Sequence, residues 1–223
     1  MSYESITYCT DEAIAKWASE DYSILTPVDQ KVWAGTDGVF SSDNRWALSS
    51  ASIDPLAAGV TAGMLVLLTA PTANFKKPGE LLVVSSVATN VVTLKRRLTT
   101  SAGVPPGPST GVSAVEFSCL SLQVQIEQMS YRINQLFGMS TQRGVKPADL
   151  LDTRELEQLC AYGVLAEQYA NRAHTMETKD AFVAKAERFK NLFNELRSNL
   201  NVHLNATLAG PKEISSTSGR FVR

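Results

Sequence analysis

"AVEFSCLSLQVQIEQMSYRINQLFGM", residues 114–139, changes its period in the middle. Up to Leu120 it is a short strand-like run with period 2. Beyond that point Leu122, Ile126, Met129, Ile133 and Leu136 step by four, three, four and three. That is one stripe of an amphipathic helix, and Gly138 is placed to end it. The chain is therefore strand-forming before this switch and helix-forming after it.

Upstream, "MLVLLTA", "ELLVVSSVA", "VVTLKRR" and "AVEFSCLSL" are short Val- and Leu-rich runs punctuated by turn residues. Thr89-Asn90 lies between two of them, as a tight hairpin requires. "APTANFKKPGE" and "TSAGVPPGPSTG" read as loops. Strands this short, with turns this short, predict a small antiparallel barrel or sandwich. Ahead of them, "GTDGVFSSDNRWALSSAS" carries a turn signal at Asp37-Gly38 and predicts an edge strand around Trp46.

Downstream, Leu156, Leu159, Cys160, Gly163, Val164 and Tyr169 mark a second helix to about Ala173, with Pro147 suited to a first helical turn. Phe182, Ala186, Phe189, Phe193, Leu196, Leu200 and His203 alternate steps of four and three, giving a third helix in heptad register. At the other end of the chain, "TDEAIAKWASEDY" predicts a short helix from Thr10 to about Tyr22. Thr10 is its N-cap, Asp11 and Glu12 lie in the first turn, and Ile14, Trp17 and Ala18 form a narrow apolar stripe. Such a helix is too short to be stable alone, so it is expected to pack beside the C-terminal helices.

The fold class expected is thus α+β: a helical domain with an inserted antiparallel β-barrel or sandwich and an extended C-terminal arm. The boundaries are residues 1–24 and 119–205 for the helical domain, 25–118 for the β domain and 206–223 for the arm.

Composition narrows the function. Hydrophobic residues make up 44% and charged residues 19%, with a net charge of -1, so no global field draws the protein to nucleic acid or an acidic membrane. Cys9, Cys119 and Cys160 are widely spaced, which argues for a reducing compartment and against a disulfide framework. The N-terminus lacks a signal-peptide pattern, and no stretch reaches the roughly 18 apolar residues of a membrane span. These features predict a soluble protein made in the cytoplasm.

The sequence has no P-loop, GxGxxG or HExxH. His174 and His203 fall near helix ends, where a histidine complements the dipole, and the cysteines fit buried positions. Trp17, Trp33, Trp46 and Phe40 read as core anchors. No catalytic residue, metal site or cofactor is expected, and the chain reads as a non-enzyme. Lys95, Arg96 and Arg97 form the densest basic cluster. It can contact DNA phosphates or a partner, but a charged strand end that resists edge pairing explains it better.

The order of elements, with "LQVQIEQMSYRINQLFGM", "DLLDTRELEQLCAYGVLAEQYANRA" and "DAFVAKAERFKNLFNELRSNLNVHL" as the helical run, resembles the head-tail connector (adaptor) proteins of tailed bacteriophages. That resemblance is clearest over residues 120–205 and in the tail. It implies a virion-neck protein whose copies, usually twelve, ring the DNA channel beneath the portal. The partners implied are the portal, a downstream tail or stopper protein, and double-stranded DNA passing without sequence specificity. It also implies that the arm docks on the portal, with Ile214, Phe221 and Val222 as apolar anchors and Lys212, Arg220 and Arg223 pairing with acids. Two alternatives stand beside this reading: a tail-terminator or baseplate component, and a nucleic-acid-binding module that uses the β domain.

Overall fold

In the computed structural model, which describes residues 6–71, 79–97, 110–139, 150, 153–174, 179–203 and 213–215, all four Val- and Leu-rich runs are strands. They are β3 (Leu65–Ala70), β4 (Glu80–Ala88), β5 (Val91–Lys95) and β6 (Val115–Leu120), joined by β1 (Lys31–Phe40) and β2 (Ala47–Ser49). The six close into an antiparallel barrel in the order β1-β2-β5-β4-β3-β6. Side chains two apart point into it: Val66 and Leu68, Leu82 and Val84, Val92 and Leu94, then Val115, Phe117 and Cys119. Trp33, Phe40, Trp46 and Leu48 complete this core. Closure settles the choice between barrel and sandwich, and it removes sheet edges.

The hairpin expected at Thr89-Asn90 is present. Ala88 pairs with Val91 across it, and Asn90 takes the left-handed conformation at φ 62°.

Two expectations for the first strands are corrected. Asp37-Gly38 is no turn, because β1 runs through it to Phe40. Glycine serves close approach instead: a Cβ on Gly38 would lie 2.9 Å from both the Phe117 ring and the Val115 carbonyl oxygen. The β1–β6 register slips between Gly35 and Gly38, a bulge that bends β1 around Phe117. Nor is the strand beside Trp46 an edge, since β2 pairs with β1 on one side and β5 on the other. The Asp37 carboxylate then ties down the chain after β2. It accepts from the Ser50 and Ser52 hydroxyls and from the Ala51 and Ser52 N–H groups, each at 2.8–3.0 Å.

The chain divides into two compact units, Ala15–Leu122 around the barrel and Met1–Ile14 with Gln123–Arg223. The second contains α3 (Gln123–Leu136), α4 (Arg154–Ala173) and α5 (Lys179–Asn199). Its α3 ends as the sequence suggests. Gly138 sits at φ 64°, its N–H bonds the Gln135 carbonyl, and the Met139 N–H reaches back to the Asn134 carbonyl at 2.8 Å. This paired arrangement satisfies two otherwise orphaned carbonyls. Leu122, Ile126, Met129 and Ile133 are buried as expected, but Leu136 is 37% exposed. Phe137 takes its place in the core, because the 3.6-residue period drifts past a strict four-three alternation.

Of the three long helices α4 is the middle one, packed on α3 and α5. Gly163 permits close approach to α3, since a Cβ there would sit 2.6 Å from the Met129 sulfur. Against α5 the contact is aromatic: the Tyr169 and Phe189 rings stack at 5.7 Å and 3°, with Tyr162 and Phe182 tilted alongside. The third helix stops at Asn199, so the heptad does not reach His203, which belongs to β7 (Asn201–His203). This β7 pairs with β8 (Glu213–Ser215).

At the N-terminus the short helix expected from Thr10 to about Tyr22 ends early, as α1 (Asp11–Trp17), and a separate single turn, α2 (Tyr22–Leu25), follows. Thr10 caps α1 as expected, its hydroxyl accepting from the Ala13 N–H at 3.3 Å. Ile14 and Ala18 are buried, whereas Trp17 is 39% exposed and is not a core anchor.

Candidate functional site

The buried reactive groups come first. Tyr8 and Cys9 precede α1 and meet α3 and α4: the Tyr8 N–H donates to the Ser130 hydroxyl at 3.0 Å, and the Tyr8 hydroxyl bonds Asn134. The Cys9 thiol donates to the Cys160 sulfur at 3.1 Å. That bond, and then burial, raise the Cys9 pKa far above the ordinary thiol range, and burial does the same to the Tyr8 phenol. A thiol held protonated away from solvent is a poor nucleophile. Cys119 lies in the barrel core. All three cysteines are free thiols.

Among the described residues no group of three or more His, Cys, Asp or Glu side chains is placed to hold a metal ion. His174 follows the last turn of α4 and is exposed.

The basic cluster has work within its own unit. Arg96 forms an ion pair with Glu80 across β4 and β5 and lies over the Trp46 ring, 5.8 Å from its centroid. Burial lowers its pKa. Arg97 donates to the Ala15 carbonyl oxygen at 2.7 Å. Lys95 is half-buried and in register with Val83. These engagements tie the cluster to its own unit, and since β5 is paired on both sides in the closed barrel, resistance to edge pairing does not account for it.

Of the arm residues, Ile214 is in β8, opposite Val202. Lys212, Arg220, Phe221, Val222 and Arg223 lie outside the described residues.

One surface was not singled out by sequence reasoning. A groove of about 920 Å³ runs along α4 in the helical unit. Its floor is Gly163, Ala166, Ala170 and Ala173, and its walls include Leu136 from α3 and Val183 and Phe193 from α5. The floor exists because α4 presents small side chains at i, i+3, i+7 and i+10, all on one face. The charges at its margin cancel: Arg132 pairs with Glu167, and Glu187 is matched in number by Lys190. An apolar, charge-balanced groove suits shape-matched apolar contact. The spacing of small residues was the legible signal.

Comparison with protein-family models, with curated proteins and with solved structures finds no match.

Proposed function

We propose that this chain is a structural virion protein, a head-tail connector whose copies form a ring beneath the portal and extend the DNA channel. The observation that carries this reading is that Met1–Ile14 groups with Gln123–Arg223 while the intervening sequence, Ala15–Leu122, forms the barrel unit. A helical body interrupted by a β module is the layout on which the family resemblance rests. In this reading the barrel is an insertion that offers its surface to the next tail component. The mechanism is interfacial and not enzymatic: helical bodies pack around the channel, and the C-terminal arm docks on the portal.

Within the arm, β8 pairs only with the three residues of β7 among the described residues. A two-stranded ribbon of that size is marginal by itself and gains its order from a partner. The anchoring residues of the arm are then Lys212, Ile214, Arg220, Phe221, Val222 and Arg223. DNA passes the ring without sequence-specific contact.

The test is co-purification of the full chain with a portal protein encoded in the same genome. Native mass of the mixture should show a ring of this chain on the portal, and deletion of residues 207–223 should release it while leaving the helical content unchanged. Rings that ignore the portal would move the protein to the tail-terminator or baseplate class. DNA binding that falls steeply with salt, without rings, would favour the nucleic-acid-binding alternative.

A further inference from the structure

Cys9 and Cys160 are 151 positions apart in the chain, yet within the helical unit their sulfurs lie 3.1 Å from each other. A disulfide bond is about 2.05 Å long, so the sulfurs need to approach by only about 1 Å to bond. Cys9 is the side that can move. Cys160 sits inside α4, whereas Cys9 lies in non-helical chain ahead of α1. The polar contacts that hold this stretch are the Tyr8 N–H on the Ser130 hydroxyl, the Tyr8 hydroxyl on Asn134, and the thiol pair itself. The seven residues of α1 are too few to keep the stretch in place by helical stability alone. Both sulfurs are buried, so they meet an oxidant only when the stretch lifts.

We infer that Cys9 and Cys160 form a redox latch: oxidation joins them in a disulfide that fastens the N-terminal segment to α4. The oxidant is a low-molecular-weight disulfide. With the segment lifted, the Cys9 thiolate attacks one sulfur of that disulfide, breaks its S–S bond and expels one small thiolate. As the segment reseats, the Cys160 thiolate attacks the Cys9 sulfur, forming the Cys9–Cys160 bond and expelling the second small thiolate. The two protons lost by the cysteines end on the two released thiols; the protein gives up two electrons and the small disulfide takes them. Ser130 is placed to assist. Its hydroxyl accepts from the Tyr8 N–H and lies 3.6 Å from the Cys160 sulfur, which leaves its own proton for that thiolate. The cross-link closes a loop that contains the whole barrel unit, Ala15–Leu122. With free thiols, release of the segment leaves that unit tied to the helical unit only through the chain at Leu122–Gln123; with the disulfide, both of its ends stay tied. The latch is independent of the connector reading.

The experiment uses the full-length chain, held under native conditions in mixtures of reduced and oxidised glutathione. As the mixture becomes oxidising, the intact mass should fall by two hydrogen atoms, with no glutathione retained. Tryptic mapping without reductant should join residues 1–16 to residues 155–172, which carry Cys9 and Cys160. The peptide of residues 98–132 should keep Cys119 as a free thiol. Hydrogen exchange of the amides from Tyr8 to Ile14 should slow by roughly a hundredfold on oxidation and recover on reduction. Cys9→Ala should show neither the cross-link nor the redox dependence. The parent chain decides the matter even if that variant folds poorly, since the same molecules are compared before and after reduction.

Thiols that stay reduced in oxidising glutathione until urea is added, or that stop as two glutathione adducts, would overturn the latch. A disulfide to Cys119, or one between two chains, would do the same. A Cys9–Cys160 cross-link that leaves the exchange of the segment unchanged would show that the disulfide fastens nothing, and would also overturn it.

Discussion

Replacing Phe189 by alanine should uncouple α5 from α4, whereas the same change at Phe193, one helical turn on, should barely disturb the fold. Phe189 is 5% exposed and lies between two rings, stacked on Tyr169 at 5.7 Å and tilted to Tyr162 at 6.0 Å. Truncating a buried phenylalanine costs about 3–5 kcal/mol, from lost transfer free energy and from the cavity left behind. Loss of an aromatic pair is worth roughly 0.5–1.5 kcal/mol and is partly contained in that figure. Because α5 carries exposed residues on its far side and can settle toward α4, the lower end is expected, about 3 kcal/mol. Phe193 is half-buried and opens into the groove, so its removal leaves no closed cavity and should cost about 1 kcal/mol. The two units need not unfold together, so a single global transition is the wrong readout. Hydrogen exchange of α5 peptides, followed by mass spectrometry, measures the local opening free energy directly. Phe189→Ala should raise the exchange rate of the α5 amides by about a hundredfold, while Phe193→Ala changes it by about a factor of five. Equal effects, or a larger one at Phe193, would refute the assignment of Phe189 as the anchor and of Phe193 as a groove wall.

Two further perturbations probe the barrel. Asp37→Asn should destabilise it at neutral pH, because four donors lose a charged acceptor. The hydrogen bond from Ser52 leads in holding the Asp37 carboxyl below its usual pKa. That stabilisation is complete above the unfolded value of about 4 and is lost as pH falls through the folded value. The gap in urea midpoint between parent and variant should therefore close on acidification below pH of about 4; a constant gap would discard the linkage. Glu80→Ala should cost roughly 3 kcal/mol by leaving Arg96 partly desolvated without its counter-charge, and adding Arg96→Met should recover most of it. Additive losses in the double variant would show that the pair is not coupled.

What the sequence could convey follows from how each signal is carried. Strands β3 to β6 were legible as short Val- and Leu-rich runs bounded by turn residues, and α3 and α4 because their buried faces repeat near 3.6. Gly38 was misread because glycine signals both a turn and a close approach, and only the position of Phe117 distinguishes them. The heptad of the third helix gave Phe189 and Phe193 equal standing. One is buried against Tyr169 and the other lines a groove, a difference the heptad does not carry. Neither the Glu80–Arg96 pair nor the Cys9–Cys160 contact has a local signature, because their partners are brought together by the fold, the cysteines across 151 positions. The groove itself was foreshadowed only by small residues at helical spacing, a pattern equally compatible with tight internal packing.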